Sequence, residues 1–377
     1  MKKLIHSQGD LMSWRVVNLG GTLPLETQSL FHAAALAVSK KSIPNTLYLL
    51  WPNKPLVSVG YHQEVAVEVA LDYCGDHDIP VIRRRVGGGA VYLDSNQVFY
   101  QVILHTDTPG IPKGIAEFYR KMLKAPVQVY RAFGVEAKYS PVNDIINADG
   151  RKISGNGAGQ IENALVLVGN IILDFDFDKM VSVLRVPSEK FRGKMAKTLR
   201  ERIGTLAMMI DQVPSRQTVI EELIRQFSKV LQTDWQILTE LLDEERKLVN
   251  EINALYATKE WLFAQSYRRK HLVQQRSVRI SGQRHISEGV FKAPGGLVRV
   301  TAETLGDKLQ DVLISGDFSM RPSDAIAKIE DALKGTKINQ NILKTKLTDI
   351  FQQFEIDAPG LSPQDIAKVI YEAITGR

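Results

Sequence analysis

Two stretches of the chain carry residue types that bind and move charged groups. Residues 83 to 94, RRRVGGGAVYLD, place three arginines and three consecutive glycines directly behind the apolar run at 79 to 82. Glycine lets a backbone approach a ligand closely, because it has no Cβ and adopts positive φ without strain. The amide N–H groups of such a loop, with arginines beside them, form a cradle for an anion such as phosphate. The pattern predicts a strand that ends in an anion-binding loop.

The second stretch, DGRKISG at 149 to 155, follows some sixty positions later. Asp149-Gly150 predicts a hairpin turn, and Lys152 beyond it supplies a single mobile positive charge. Asn143-Asp144, just before the hairpin, offers a carboxylate of the kind that holds Mg²⁺ at a nucleotide. We therefore predict that the two stretches meet around one nucleotide, with Arg84 as the arginine that contacts phosphate.

Each of these features also has a plain structural interpretation. Three glycines can mark a bulge, and the loop has neither the Walker A nor the GxGxxG spacing. A lysine after a turn is usually a solvated charge, and Asp144 after Pro141 can be a turn residue. Cys74 needs a neighbouring base to act as a nucleophile, and no base is evident from the sequence. The residues alone leave these alternatives open.

Composition bounds the class of protein. The chain of 377 residues, with 44% hydrophobic and 24% charged residues, is long enough for about two soluble globular domains. No apolar run approaches the roughly 20 residues that span a bilayer, and the start MKKLIHSQGD lacks the apolar segment of a signal peptide. A single cysteine excludes an internal disulfide and a cysteine-built metal cluster. We expect a cytoplasmic protein.

The charge of the chain favours an anionic partner. The net charge is +6 and the isoelectric point is near 9.1, which suits a nucleotide, a nucleic acid or an acidic protein. Residues 185 to 202, RVPSEKFRGKMAKTLRER, hold seven basic residues against two acidic ones. Because this segment has a single aromatic residue, Phe191, and no steady apolar face, we predict a mobile surface loop and not a nucleic-acid-binding helix.

Hydrophobic periodicity predicts a mixed α/β fold. The first domain shows strands separated by short turns, which indicates an antiparallel or mixed sheet with flanking helices. The second domain shows three strands followed by helices, which indicates a small α+β unit. The predicted strands are 14–20, 46–51, 55–59, 81–85, 97–105, 164–173, 286–293, 296–304 and 308–315, and the predicted helices include 26–40, 115–133, two within 214–257, 322–334 and one from 363. Pro126 is expected to bend or divide the helix 115–133.

The order and spacing of RRRVGGGAVYLD, Asn143-Asp144 and GRKISG resemble those of the lipoate-protein ligases, which form one α/β superfamily with the biotin ligases. KMAKTLRERIGTL at 194 to 206 resembles the adenylate-binding loop of that family, with Lys197, Arg200 and Arg202 in corresponding places. Residues 292 to 335 resemble the accessory domain that some of these ligases carry as an extension. The resemblance implies a biotin/lipoate ligase-like mixed sheet with flanking helices, plus a small α+β C-terminal accessory domain. The corresponding domains are a catalytic domain at 1–257, a linker at 258–277 and the accessory domain at 278–377.

The resemblance also implies a two-step reaction. Lipoate or octanoate is activated with ATP and Mg²⁺ as an acyl-adenylate and is then transferred to a lysine of an acceptor protein. Lys152 is implied as the main catalytic residue, and the basic segment and second domain as the lid that keeps water from the adenylate. The expected ATP contacts are Arg84, Gly87, Gly88, Gly89, Ala90, Val91, Tyr92, Lys152 and Lys197; the expected lipoate contacts are Arg83, Gly88, Gly89, Lys152 and Gly155; and Asp144 is the expected metal ligand.

The expected partner is a lipoyl-acceptor protein, either one like the glycine-cleavage H protein or the lipoyl domain of a dehydrogenase E2 subunit. Nucleic acid and membrane are not expected as partners, and the chain is expected to be a monomer. Val86, Leu93 and Val168 depart from the family pattern, which often has Ser or Thr at the first position and His at the other two. The alternatives are an octanoyl or lipoyl transferase that needs no ATP, a biotin ligase, and a non-catalytic sensor of lipoyl groups or nucleotides.

Overall fold

The computed structural model describes residues 14–186, 188–275 and 284–376, so the start of the chain and the predicted domain start at residue 278 lie outside the described residues. In chain order, the elements up to residue 105 are β1 Trp14–Thr22, α1 Pro24–Ser39, β2 Thr46–Pro52, β3 Leu56–Val59, α2 Val65–Glu68, α3 Leu71–Asp76, β4 Val81–Arg83, β5 Val91–Leu93 and β6 Gln97–His105. They are followed by α4 Ile115–Met122, α5 Lys124–Ala132, β7 Ala137–Ser140, β8 Asp144–Asn147, β9 Lys152–Ser154, β10 Asn156–Ile161, β11 Ala164–Ile172, α6 Phe177–Val183, α7 Glu189–Arg202, α8 Leu206–Met209, α9 Arg216–Leu231, β12 Trp235–Leu238 and α10 Asp243–Tyr256. The rest of the chain forms α11 Lys259–Leu262, α12 Ala264–Arg268, α13 Lys270–Gln275, β13 Arg284–Ala293, β14 Gly296–Leu305, β15 Lys308–Gly316, α14 Ala325–Leu333, α15 Gln340–Gln353 and α16 Pro363–Thr375.

A six-stranded mixed sheet forms the centre of the first domain, in the order β10-β11-β6-β2-β1-β12. β1 runs parallel to both β2 and β12, whereas the pairs β2·β6, β6·β11 and β11·β10 are antiparallel. Helices cover both faces: α4, α5 and α9 pack on one, and α1 and α10 on the other. β6 divides its side chains accordingly, since Val98 and Tyr100 face the first layer and Phe99 and Ile103 the second. The predicted mixed sheet with flanking helices is confirmed.

Two small three-stranded sheets carry the glycine loop and the hairpin with Lys152. The order β4-β3-β5 places the glycine loop, residues 84 to 90, between β4 and β5, both of which pair with β3. The order β7-β8-β9 carries the hairpin with Lys152.

Some local predictions were wrong. The basic segment 185–202 is not a loop over its length, because residues from Glu189 onwards form α7. Its Lys, Met, Ala, Leu and Arg residues are strong helix formers, and Gly193 is tolerated in the interior. The helix predicted at 115–133 is divided, as expected, but its two parts meet at Leu123 and Pro126 lies in the first turn of α5, where a missing N–H costs little. β12 and α15 have no counterpart among the predictions.

The accessory domain is an antiparallel meander, β13-β14-β15, with α14, α15 and α16 packed on it. Ser362 caps α16 through its hydroxyl, and Pro363 occupies the first turn, as predicted. The predicted linker 258–277 is helical in its described part, α11 to α13, and it is fastened to the accessory domain by ion pairs. Arg268 bonds Glu330 at 2.7 Å and Arg269 bonds Asp311 at 2.9 Å. None of the helices in the described chain is long and apolar enough to cross a membrane.

The accessory domain rests directly on the first domain through the turn that follows β15. The ring of Phe318 stacks on the ring of His62 with centroids 5.0 Å apart, and the N–H of Gly316 donates to the carbonyl of His62 at 3.0 Å. His62 is buried at this contact. Burial, together with the nearby guanidinium groups of Arg268, Arg83 and Arg85, lowers the pKa of His62 from 6.5 to about 3.

A buried ion pair connects the sheet to α10. Arg15 on β1 is 1% exposed and donates to both carboxylate oxygens of Glu245, one of them at 2.9 Å. Tyr48 donates to the same carboxylate, and Arg15 also donates to Thr46 at 2.9 Å.

We expect Arg15→Met to lower the free energy of unfolding by about 3–5 kcal/mol, because it leaves the Glu245 charge buried without its partner. The double substitution Arg15→Met/Glu245→Gln should recover part of this loss. Urea denaturation measures both effects. The exposed pair Arg246–Glu240 is the control, since Arg246→Met should cost no more than about 1 kcal/mol. A loss for Arg15→Met as small as that of the control would contradict the expectation.

The buried histidine predicts a pH dependence of stability. Because the pKa of His62 lies near 3 in the folded protein and near 6.5 when unfolded, only the unfolded chain takes up this proton as the pH falls. The contribution of neutral His62 is complete above pH 6.5 and is lost between pH 6.5 and about 3, at roughly 1.4 kcal/mol per pH unit. His62→Gln should flatten the pH profile of unfolding in that window, whereas His77→Gln, on the exposed end of α3, should leave it unchanged. Parallel profiles for the wild type and His62→Gln would refute the assignment.

Candidate active site

The glycine loop has its shape because side chains are absent at two positions. A Cβ on Gly60 would lie 1.7 Å from the carbonyl oxygen of Gly88, so the end of β3 and the loop touch backbone to backbone. Gly88 itself has φ +94°, a conformation that L side chains rarely adopt. Close contact with the loop therefore requires glycine at position 60, and a positive φ favours glycine at position 88.

Arg84 holds this loop from inside. Its guanidinium donates to the carbonyls of Gly87 at 2.7 Å and Gly89 at 2.9 Å, and to the carbonyl of Ser58 on β3 at 3.0 Å. Burial lowers the pKa of Arg84 to about 10. Arg84 also lines the cavity described below, but these donors are bonded to the loop, so its evident role is to fix the positions of the glycine carbonyls.

The two neighbouring arginines point to the other side of the chain. Arg83 is fully buried and donates to the carbonyls of Gly60, Tyr61 and Gln63, and to those of Trp261 and Leu262 at α11. Arg85 lies over the ring of Tyr61, 4.5 Å from its centroid, and donates to Ser323 of the accessory domain at 2.8 Å. Strand alternation, with Arg84 on the opposite face from both, accounts for this division.

The accessory domain covers part of the glycine loop. The N–H of Gly88 donates to the carbonyl of Phe318 at 3.4 Å, and a Cβ on Gly87 would lie 2.3 Å from that same oxygen. Asp317 lies beside Gly89, since a Cβ there would be 3.7 Å from the Asp317 side chain. Gly87 is therefore in close contact with the backbone of the accessory domain, which leaves no room for a side chain there.

Lys152 begins β9, immediately after the predicted turn. The N–H of Gly150 donates to the carbonyl of Asn147 at 3.1 Å, and Gly150 has φ +79°, so Asp149-Gly150 forms the hairpin turn as predicted. The Lys152 ammonium lies 2.7 Å from Asp144 on the neighbouring strand, with the two side chains 40% and 37% exposed. The Lys152 carbonyl accepts the N–H of Gly204 at 2.9 Å, which ties the lysine to the segment behind α7.

One cavity of about 240 Å³ joins the glycine loop to Lys152. Of the sequence-predicted residues it is lined by Arg84, Gly88, Gly89, Val91, Tyr92, Lys152 and Gly155. Arg83, Gly87, Ala90, Asp144 and Lys197 are not among the residues that line it. Arg83 does not line the cavity because its guanidinium points to the opposite face of the strand, where it donates to backbone carbonyls. Lys197 is exposed on α7, and Asp144 reaches the cavity only through its contact with Lys152.

Buried amide side chains form the polar part of the cavity, and sequence reasoning assigned no role to most of them. Asn170 donates to Gln97 at 2.6 Å and accepts the N–H of Gly155 at 2.8 Å. Asn143 and Asn156 each donate to the backbone carbonyl of the other, at 2.6 and 3.0 Å. An amide that interrupts an apolar strand, as Asn170 does in ALVLVGNII, is the sequence feature that points to these residues.

Gln101 has a side-chain oxygen that is available to accept a hydrogen bond from a ligand. Its Nε2 donates to the carbonyl of Thr27 at 2.8 Å, while its Oε1 has no hydrogen-bond partner among the residues that the structure describes. The residue lines the cavity and is 2% exposed. A buried acceptor of this kind is costly to leave unpaired, so Gln101 is a candidate contact for a polar group of a ligand.

The remaining wall of the cavity is apolar. It is formed by Phe31 on α1, Phe99 on β6, Ile172 on β11, Phe175 before α6 and Met180 on α6. Leu93 and Val168, two of the departures from the family pattern, also line the cavity and extend this apolar wall. The site thus combines a hydrophobic chamber with one ammonium group and a glycine loop.

Cys74 takes no part in this site. It lies on α3, is 2% exposed, and packs among Val57, Val59 and Val65. Burial raises the pKa of the Cys74 thiol, which disfavours the thiolate form needed for nucleophilic attack. The residue is not among those that line the cavity.

The described residues contain no group of three or more His, Cys, Asp or Glu side chains placed to hold a metal ion. Asp144 can supply one carboxylate oxygen. Mg²⁺ at nucleotides is commonly bound by one or two carboxylates together with phosphate oxygens, so this single carboxylate fits that kind of binding and not an all-protein cage.

Comparison with known families matches residues 24–228 to the lipoyl protein ligase A/B catalytic domain. Residues 290–370 match the C-terminus of bacterial lipoate protein ligases. Both parts of the chain thus match the family that the motifs resemble.

Individual relatives carry two kinds of name. Lipoate-protein ligase A subunit 1 of Thermoplasma acidophilum is 33% identical over 215 residues, which cover 54% of this chain and 79% of that protein. Lipoate–protein ligase 2 of Staphylococcus aureus is 28% identical over 311 residues, covering 78% of this chain and 82% of that one. Octanoyltransferase LipM of Geobacillus kaustophilus is also 28% identical, over 276 residues that cover 66% of this chain and 98% of that one.

Solved structures show the same likeness. A bi-partite archaeal lipoate protein ligase from Thermoplasma acidophilum, studied with its E2 lipoyl domain, has a TM-score of 0.59 and 30% identity over 67% of this chain and 96% of that chain. A lipoate-protein ligase A bound with ATP has a TM-score of 0.57 and 27% identity over 67% of this chain and 99% of that one. P. falciparum LipL1 in complex with lipoate, at 15% identity and a TM-score of 0.67, shares the fold over 97% of this chain and 100% of that one. The predicted lipoate ligase-like fold with a small C-terminal domain is confirmed.

Proposed function

The chain belongs to the lipoyl protein ligase A/B family, and from this premise we propose that it is an ATP-dependent lipoate–protein ligase. In this proposal it activates lipoate or octanoate as the acyl-adenylate and transfers the acyl group to a lysine of a lipoyl-acceptor protein. The relatives include both ligases and octanoyltransferases, so the proposal chooses between two reactions of one family.

The observation that carries the proposal is the cavity shared by Lys152 and the glycine loop. An acyl chain needs an apolar chamber that ends at the reacting carboxylate, and the aromatic and aliphatic wall next to Lys152 suits that need. A nucleotide phosphate needs a cation and backbone donors at the same place. Lys152 supplies the cation, and the loop at Gly88 and Gly89 borders the same space.

In the first step, a carboxylate oxygen of lipoate attacks the α-phosphorus of ATP. The new bond is an acyl–phosphate anhydride, and the bond from the α-phosphorus to the leaving pyrophosphate breaks. Negative charge builds up on the α-phosphate oxygens during this exchange. The Lys152 ammonium, held at the cavity by Asp144, is placed to stabilise that charge and to neutralise the approaching carboxylate.

In the second step, the neutral amine of the acceptor lysine attacks the acyl carbon. The bond from that carbon to the phosphate oxygen breaks, AMP leaves, and the amine gives up a proton. Between the steps the anhydride must be kept from water, and the apolar wall and the accessory domain over the glycine loop support this protection.

ATP is a substrate in this scheme, and a relative's structure bound with ATP supports its use here. Of the residues expected to contact it, we propose Gly88, Gly89, Val91, Tyr92 and Lys152, which line the cavity, with Arg84 holding the loop in place; Gly87, Ala90 and Lys197 do not line the cavity and are not proposed as contacts. Gly88, Gly89, Lys152 and Gly155 are proposed for lipoate, without Arg83. Mg²⁺ would neutralise phosphate charge, with Asp144 as its one protein carboxylate.

ATP-independent acyl transfer is the second candidate, and the octanoyltransferase relatives favour it. A transferase that works through a thioester needs a cysteine at the acyl pocket. Cys74 is the single cysteine of the chain, and its buried place on α3 supports the ligase reaction instead. The proposed acceptor is a lipoyl domain or an H-protein-like carrier, as for the relative studied with its E2 lipoyl domain.

Pyrophosphate release from ATP and Mg²⁺, without acceptor, tests the proposal. Lipoate or octanoate should stimulate release and biotin should not. Lys152→Gln should lower the rate by about 100-fold or more, because it removes the charge that stabilises the transition state. Lys138→Gln is the matched control, since Lys138 is an exposed lysine on the same three-stranded sheet and should leave release unchanged.

No stimulation by either acid, from folded protein, would overturn the ligase proposal. Transfer of octanoyl from a carrier protein under the same conditions would then assign the transferase reaction. Normal release by Lys152→Gln would remove Lys152 from its proposed role.

Cys74→Ala separates the two reactions further. We expect it to retain pyrophosphate release and acyl transfer within about twofold, with at most a moderate loss of stability from the small cavity left in the core. Loss of acyl transfer by protein that keeps its circular dichroism and melts well above the assay temperature would show a thiol mechanism.

A further inference from the structure

A second concave surface lies on the catalytic domain, outside the cavity. It is a groove of about 1250 Å³ between α4, α5, β7 and the end of α9, which we call the basic groove. Its floor includes Val127, Val230 and Tyr139. Seven basic side chains line it against one acidic side chain, Glu117.

Part of this charge is already paired within the groove. Arg120 lies 3.6 Å from Glu117, and Arg225 lies 2.6 Å from Glu222. Arg131 donates to the carbonyl of Ala137 at 2.9 Å. These groups are held by the fold and define the walls.

Three lysines are different. Lys124 at the start of α5, Lys138 on β7 and Lys229 near the end of α9 are all exposed and all line the basic groove. Within the described part of the chain, no hydrogen bond or ion pair of their ammonium groups is found. Three cations on one concave surface repel one another, and an anionic partner would relieve this repulsion.

The basic groove is continuous with the catalytic lysine. Lys138 pairs with Ile146 across β7 and β8, and Ile146 pairs with Lys152 across β8 and β9. These three residues face outward, whereas Ile145 and Ile153 are buried in the core. Neighbouring strands are about 4.8 Å apart, so the backbone of Lys138 lies about 10 Å from that of Lys152 on the same face.

We propose that the basic groove docks an acidic face of the acceptor domain while the acceptor's lysine enters beside Lys152. This inference rests on the proposed function and adds the surface that recognises the macromolecular substrate. A compact domain of about 100 residues has a radius of gyration of about 13 Å. A domain that delivers a lysine to Lys152 therefore covers the neighbouring surface out to the position of Lys138 and beyond.

The lining favours a protein over a single-stranded nucleic acid. Single-stranded nucleic acids are held by aromatic side chains on which bases stack, together with cations. Tyr139 is the one aromatic residue in the lining, and its hydroxyl is bonded to the carbonyl of Val142 at 2.7 Å. Charge without stacking suits carboxylates on a folded surface, where it raises the rate of encounter and sets orientation.

The test uses the full chain with the lysines reversed, Lys124→Glu/Lys138→Glu/Lys229→Glu. The matched control is Lys247→Glu/Lys259→Glu/Lys344→Glu, which makes the same change in charge at exposed lysines of α10, α11 and α15. Two reactions are measured for each protein. One is lipoate-dependent pyrophosphate release without acceptor, and the other is transfer from preformed lipoyl-AMP to an E2 lipoyl domain of net negative charge.

We expect the groove variant to raise the KM for the lipoyl domain by about tenfold or more at low salt, and by less at high salt, because screening weakens charge attraction. Its pyrophosphate release should stay within about twofold of the wild type, which also shows that it is folded. The control should leave both reactions unchanged.

An unchanged KM for the groove variant would overturn the proposal, as would an equal rise in the control. Retention of a duplex oligonucleotide by the wild type and not by the groove variant, with KM unchanged, would assign the surface to nucleic acid instead. Absence of pyrophosphate release from the wild type would refute the proposed function separately, since no acceptor is present in that reaction.

Discussion

The active-site region depends on one buried guanidinium. Arg84 binds the carbonyls of Gly87, Gly89 and Ser58, and so fastens the glycine loop to β3 from the inside. A trans peptide is planar, with its N–H opposite its carbonyl, so the amide that follows Gly89 points away from Arg84. The Ala90 amide is thereby turned outward, whereas the Gly88 amide, which follows the other bonded glycine carbonyl, donates to the carbonyl of Phe318. Removing Arg84 would leave buried carbonyls unpaired and release the loop.

The same loop is where the two domains meet. Gly88 donates to the carbonyl of Phe318, and His62 stacks on the Phe318 ring. The accessory domain therefore contacts both the glycine loop and the segment that follows β3. Arg83 holds the segment after β3 against α11 by donating hydrogen bonds to five backbone carbonyls. Displacement of the accessory domain would therefore remove the contacts that Phe318 makes with the glycine loop and with His62.

Much of this site was predictable from sequence because it depends on local backbone chemistry. Asp149-Gly150 specifies a turn by itself, and it places Lys152 beside Asp144 without further information. The adjacent arginines illustrate the limit. Arg83, Arg84 and Arg85 differ in role only through strand alternation and through partners such as Trp261 and Ser323, which are some 180 and 240 positions away. The helix α7 was missed for a different reason, because its charged composition outweighed its helix propensity in the interpretation.

The two proposed half-reactions have opposite requirements for access to one cavity. The position of Lys152 at the edge of that cavity is compatible with both. Formation of an acyl-adenylate requires that water be kept out, whereas transfer requires that an amine come in. The glycine loop and the apolar wall enclose the cavity on one side, and the accessory domain covers part of that loop. Lys152 stands at the other side, 40% exposed, on the outward face of β7-β8-β9. In this proposal, the ammonium group that stabilises charge in the first step also lies where the acceptor amine enters for the second. An acceptor that binds over this face would itself exclude water from the anhydride at the moment its lysine arrives, so recognition of the correct partner and protection of the intermediate become one event.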